Sequence, residues 1–162
     1  MTFFDLGRGR VARFLDQSLL ALARDRASIA PDPRTTSVIL WSGSCAELDD
    51  PPGNLFDAHP RTWAAHGWAA LERACAHAAA ATTDTILIRP HARHVLSDIP
   101  SLKRFAHTIA PDHPGRFELF IDPPSMLDTT HHDRGLAPDT IARILEEAPT
   151  LGLPSFLFPL PE

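Results

Sequence analysis

The sequence predicts an α/β fold, with repeated β-α units around a parallel sheet of three to four strands. Three observations carry that expectation. Short continuous apolar runs, SVILWS (37–42), TILIRP (85–90) and RFELFID (116–122), have the β-branched and aromatic make-up of strands buried on both faces. A helix-forming segment follows each run, the alternation that yields parallel β-α units with right-handed crossovers. The chain has 162 residues, 44% hydrophobic and 22% charged, which suits one globular domain spanning 1–162 with a core of its own. A complete eight-stranded barrel needs about 200 residues or more. The expected object is therefore a small open sheet or part of a barrel.

The elements follow in chain order. In residues 8–26, RGRVARFLDQSLLALARDR, the positions Val11, Phe14, Leu15, Leu19, Leu20 and Leu22 fall mostly on one helical stripe. Pro31 and Pro33 then bar continuation, so 1–36 reads as an N-terminal helix and linker ahead of a 37–162 β-α repeat core. The first core strand is 37–42. A long loop over 43–61 follows, with Pro51, Pro52 and Gly53, and loops of that length are often functional. Thr62 is placed to cap a helix over 62–81, with Trp63, Trp68, Leu71 and Cys75 on its apolar face. The second strand, 85–90, leads to a helix over 99–110, capped by Ser97 or Asp98 and ended by Pro111 and Pro114. After the third strand come two prolines, the cluster His131, His132 and Asp133, and a helix over 138–148 with Pro138 in its first turn. SFLFPLP (155–161) reads as a fourth strand, weakened by its prolines.

Composition narrows the function classes. A net charge of −5 and a pI near 5.9 argue against a nucleic-acid module, which would show a basic face. No run of 18 apolar residues is present, so no membrane partner is expected. The first residues, MTFFDLGRGRVARFL, lack the apolar core of a signal peptide. Cys45 and Cys75 are too few for a disulfide framework, and a cytoplasmic setting is the expectation. Lys103 is the only lysine among 15 basic residues, a bias that points to a GC-rich genome rather than to chemistry.

In parallel α/β folds ligands bind beyond the carboxyl ends of the strands. Ser42, Ser44, Cys45 and Glu47 follow the first strand; Arg89, His91, Arg93 and His94 the second; Asp122, Ser125 and Asp128 the third. His91, His94 and Asp122 have the donor types of a divalent metal site with open positions. The alternative is that Asp122 accepts backbone bonds or pairs with Arg89, while the histidines face water. Arg89 and Arg93 can grip an anion through their forked donors, or pair with Asp122 or Asp98. No glycine-rich phosphate loop and no Gly-x-Ser-x-Gly elbow is present. No cation is identifiable beside Cys45 to activate it as a nucleophile.

On ILIRPH (86–91) and LFIDPPSML (119–127) the chain resembles the sugar phosphate isomerase/epimerase family, with its xylose isomerase-like TIM barrel. Members often show a strand ending Glu-Pro-His and a following strand ending Asp-Pro. VILWSGS (38–44), the acidic loop and the helix at 62–80 resemble the preceding unit, so the resemblance covers about 37–160. It implies a divalent metal at the strand ends and proton transfer beside a sugar carbonyl. Asp122 stands at an acidic position of that pattern. Arg89, however, stands where the family has a metal-binding glutamate, and a permanent cation there repels a metal. Ser125 or Met126 replaces the expected later histidine. The implied metal site is thus degenerate.

Two functional expectations follow. One is a shortened, divergent relative of these isomerases binding a small polar or anionic, sugar-type ligand. Arg89, Arg93 and Asp122 would bind it, and His91 or His94 would serve as the base if catalysis survives. The other is a non-catalytic binding or assembly subunit, whose open sheet edges pair with a second copy or a partner chain.

Overall fold

The computed structural model describes residues 2–158. Six strands form one curled, mixed sheet, a half-barrel, in the order β1 (Thr2–Gly7), β2 (Arg10–Ser18), β3 (Ser37–Trp41), β4 (Thr85–Arg89), β5 (Phe117–Ile121) and β6 (Ser155–Leu157). β1 and β2 are antiparallel, and every later neighbour pair is parallel. The α/β class and the three core strands agree with the sequence reading. The sheet is larger than the three to four parallel strands expected, because the N-terminal region joins it.

The helix expected over residues 8–26 is the correction. Gly7, Arg8 and Gly9 all have positive φ (76°, 55° and 76°) and turn the chain back on itself. Arg10–Ser18 then runs as a strand, and only Leu19–Arg24 is helical, as α1. Apolar residues at 11, 14 and 15 fit a helical stripe, but Arg10, Ala12 and Phe14 also fit the two-residue period of a strand. The parallel ladder to β3 decides between them, and the helix waits for Ser18, whose side chain accepts from the Ala21 N–H as its N-cap.

The later helices lie close to their expected places: α2 (Ala65–Ala81), α3 (Ile99–Thr108), a short α4 (Thr129–Asp133) and α5 (Ala137–Glu147). Asp98 caps α3 as expected, accepting from Ser101 N at 2.8 Å. Thr62 does not cap α2. It accepts from Cys45 N at 2.9 Å instead, tying two short 3-10 turns of the 43–63 loop together. Trp63 lies outside the apolar face and is exposed. The part of the expected fourth strand beyond Phe158 lies outside the described residues.

Strand alternation divides the apolar residues between two faces. The convex face is the main core: Val38, Leu40, Ile86, Ile88, Leu119 and Ile121 pack under the helices with Leu71, Leu102 and Phe105. The concave face holds a smaller core of Ala12, Ile39, Leu87 and Phe120, with Phe4, Phe14 and Phe158 against it. The curl is measurable. Arg10 on β2 meets Glu118 on β5 at 2.8 Å, although strands three places apart in a flat sheet stand about 14 Å apart. Phe4 and Phe158, from opposite edges, have ring centroids 5.8 Å apart. Among the described residues no helix is long and apolar enough to cross a membrane.

Candidate functional site

The parity that puts Ile39, Leu87 and Phe120 on the concave face puts Trp41, Arg89 and Asp122 there too, two residues further on. Trp41 and Arg89 are register partners, so they form one rung at the carboxyl end of the sheet. The Arg89 guanidinium lies 4.2 Å from the Trp41 ring centroid and hydrogen-bonds Asp122 through Nη2. Phe14 and Phe158 are the other rings near it, at 5.6 and 5.8 Å. A guanidinium on an aromatic face, tied to a carboxylate, is fixed in position and orientation.

Above this rung four rings gather. Trp41, Phe56, His91 and His94 have pairwise centroid distances of 4.8–5.8 Å. Phe56 arrives on the long loop, which crosses the strand ends as a strap. Two bonds tie the strap to the loop after β4: His94 Nε2 to the Leu55 carbonyl at 3.0 Å, and Arg93 Nη1 to the Phe56 carbonyl at 3.1 Å. Ser125 Oγ donates to the Pro90 and Asp122 carbonyls, and Ala92 N donates to the Ser125 carbonyl, which joins the loops after β4 and β5.

The imidazoles have defined states. Burial pushes His94 down to about 3. Burial, reinforced by the Arg93 and Arg89 charges, pushes His91 down to about 4. Both are neutral near pH 7. Nδ1 of His91 accepts from Arg93 N at 3.1 Å, so its proton sits on Nε2 and is available to donate. His94 donates through Nε2 to Leu55, leaving the Nδ1 lone pair buried with no protein partner.

Among the described residues, six buried side-chain polar atoms have no partner, and four of them lie at the strand ends: Trp41 Nε1, Ser42 Oγ, Arg89 Nε and His94 Nδ1. The other two, Arg13 Nε and Asp84 Oδ2, belong to side chains that form one ion pair, at 3.9 Å. Orphaned buried polar atoms are rare enough that a cluster of them calls for an explanation.

Of the five residues the sequence singles out, Arg89, Asp122, His91 and His94 come together. Arg93 joins them through the strap carbonyl it holds. His131 does not: its Nδ1 lies 2.7 Å from Asp128 Oδ1 in the cap of α4. Glu47 is buried under Ser18 Oγ and Ser44 N, and burial raises its carboxyl above the usual range. Burial likewise raises the Cys45 thiol, which speaks against a nucleophile there. Trp41 and Phe56 are not among the residues the sequence reading marks for the site. Strand parity with Ile39 could have found Trp41, whereas nothing local marks Phe56.

A divalent metal does not fit this donor set. Asp122, the carboxylate the resemblance would assign to it, is engaged by Arg89. Among the described residues no three histidine, cysteine or acidic side chains gather as a metal site. No protein-family model, curated protein or solved structure matches the chain.

Proposed function

We propose that the strand-end site binds a small polar ligand of sugar type. Arg89, Asp122 and Trp41 are its contacts, His91 Nε2 is a further donor, and the Phe56 strap covers it. The orphaned donors and acceptor beside a cluster of rings carry this reading. Sugars offer hydroxyls to Arg89 Nε, Trp41 Nε1 and His94 Nδ1, and C–H faces to Trp41 and Phe56. A sugar phosphate adds an anion that suits a guanidinium. The resemblance to the isomerase/epimerase family supports the same ligand class.

Binding is favoured over proton transfer. Imidazoles held down to about 4 and 3 are weak bases near neutral pH. In this reading Arg93 shapes the strap, and His91 and His94 line the ligand instead of abstracting its proton. Calorimetry with free sugars and sugar phosphates tests it. The expected result is saturable binding that weakens at least tenfold in Arg89→Lys and in Trp41→Phe. Absence of binding by every compound at millimolar concentration overturns it, as does binding indifferent to both variants. Turnover of a bound sugar would restore His94 as a base.

A second reading is assembly through the sheet edges. Phe3 on β1 and Leu157 on β6 are 39% and 47% exposed, and edge strands invite pairing. A dimer mass in solution that reverts to monomer on Leu157→Lys would favour it; a monomeric parent chain would dismiss it.

A further inference from the structure

The convex side carries a cleft between α1 and α2, with a volume of about 440 Å³. Its floor is Leu20, Ala23, Leu48 and Ala70, and its rim is Arg24, Arg26, Arg73 and His77. No carboxylate lines it. Positions 70, 73 and 77 fall on one face of α2, which turns Glu72 away toward a different surface.

Two of the four basic side chains are already employed. Arg24 forks onto Asp25 at 2.7 and 2.8 Å, and His77 Nε2 meets the Ala27 carbonyl at 3.0 Å. The other two are unengaged: among the described residues no hydrogen bond or ion pair is made by the Arg26 or Arg73 side chain. Two open guanidiniums over an apolar floor match an anion carried on an apolar body, since the guanidinium fork fits carboxylate and phosphate alike.

The backbone at Arg26 is an independent observation. α1 ends in a Schellman turn, with Ala27 N to Leu22 O at 3.0 Å and Arg26 N to Ala23 O at 3.2 Å. That turn places Arg26 at φ +49°, the position glycine usually fills. An L side chain there is strained, and no bond made by the Arg26 guanidinium within the protein compensates. The turn accounts for the backbone but not for an arginine where glycine would be unstrained, and such outliers cluster at functional positions.

We infer that this cleft binds a small organic anion. Arg26 and Arg73 grip its carboxylate or phosphate, and Leu20, Ala23, Leu48 and Ala70 receive its apolar body. The site is separate from the strand ends.

Calorimetry on the intact chain with 1-naphthoate, 1-naphthyl phosphate and neutral 1-naphthalenemethanol tests the inference. At least one anion should bind saturably and at least tenfold more tightly than the alcohol, and the better of the two identifies the headgroup. Arg26→Gly is the decisive variant. It relieves the strained backbone, so its Tm should equal or exceed that of the parent while anion affinity falls at least tenfold. Arg73→Gln, on an exposed helix face, should lose affinity similarly without loss of Tm. Trp41→Phe should leave this binding intact, which separates it from the strand-end site. The inference is overturned if neither anion binds, if the alcohol binds equally well, or if Arg26→Gly and Arg73→Gln bind like the parent.

Discussion

The concave side of the sheet has an arginine–carboxylate pair at each end, and the two are built differently. At the amino ends of the parallel strands, Arg10 donates to both Glu118 oxygens, at 3.2 and 2.8 Å, and to Ser37 Oγ at 3.2 Å. At the carboxyl ends, Arg89 reaches Asp122 through Nη2, and its buried Nε meets nothing. The lower pair leaves no buried polar atom without a partner and clamps β2 to β5 across the curl. The upper pair is held by aromatic rings and retains unused hydrogen-bonding capacity. A saturated pair is architecture; a buried pair with spare donors is where a ligand gains most, because the desolvation has already been incurred.

The sharpest way to break the upper end alone is through the backbone beneath it. Gly43 follows β3 at φ +98°, and its carbonyl accepts from Val95 N at 3.0 Å. A Cβ there would stand 2.9 Å from Ser18 Oγ and 3.0 Å from both Glu47 Oε2 and Leu20 Cβ. Gly43→Ala therefore combines backbone strain with overpacking, a loss of about 3–4 kcal/mol in urea unfolding. Gly7→Ala is its control. The hairpin glycine also has positive φ, at +76°, but no heavy atom lies within 4 Å of its Cβ position. It should cost only about 1 kcal/mol. Equal losses at the two positions would show that crowding under the strap is not what holds the upper end.

Acid distinguishes the two ends next. His91 and His94 are held neutral, at about 4 and 3 against an ordinary 6.5. The folded state binds fewer protons than the unfolded one below pH 6.5. Their contribution is thus complete above that pH and is lost as pH falls toward 4 and then 3. Between pH 6.5 and 5 the pair should cost about 2–3 kcal/mol, with half-buried His91 discounted for solvent screening. Glu47 opposes them: its raised carboxyl destabilises the fold at neutral pH and recovers as acid protonates it. A double variant, His91→Gln with His94→Gln, should flatten the slope in that window. An unchanged slope would mean the upper end does not exclude protons as its ring packing implies.

Much of this contrast is legible in the sequence, and what is hidden is hidden for physical reasons. The runs at 37–42, 85–90 and 116–122 announce themselves because buried parallel strands need unbroken apolar stretches. Arg89 and Asp122 are recoverable because ligands gather at strand ends. The N-terminal hairpin is obscured because Val11, Phe14 and Leu15 fit a helical stripe while Ala12 and Phe14 fit a strand face, and only the pairing with β3 chooses. Glu118 reads locally as a polar residue inside a strand; its partner is 108 positions away, and the curl that joins them is a property of the whole sheet. Phe56 is obscured likewise, since the strap takes its path from Arg93 and His94, far along the chain.

Glu118→Gln tests the lower clamp. It keeps the shape but removes the charge facing Arg10, which is partly exposed, so a loss of about 1–2 kcal/mol is expected. Affinity at the strand ends should not change. A fall in sugar affinity comparable to that of Arg89→Lys would mean the two ends communicate through β5, and the division between clamp and site would fail.

The smallest effect on stability is expected at Trp41, and it discriminates most finely between the two ends. Trp41 is only 6% exposed, and its ring supports Arg89. Replacing a buried tryptophan ordinarily opens a cavity and forfeits its indole bond. Here Nε1 has no bond to forfeit. Trp41→Phe removes an unsatisfied donor, worth about 1–3 kcal/mol of relief, against a comparable packing loss. The net change in urea unfolding should stay within about 1 kcal/mol, while sugar affinity drops at least tenfold. A loss of 3 kcal/mol or more without ligand would mean that the indole serves the fold as Arg10 does. The upper end would then be as saturated as the lower, and the orphaned donors could no longer single it out as a binding site.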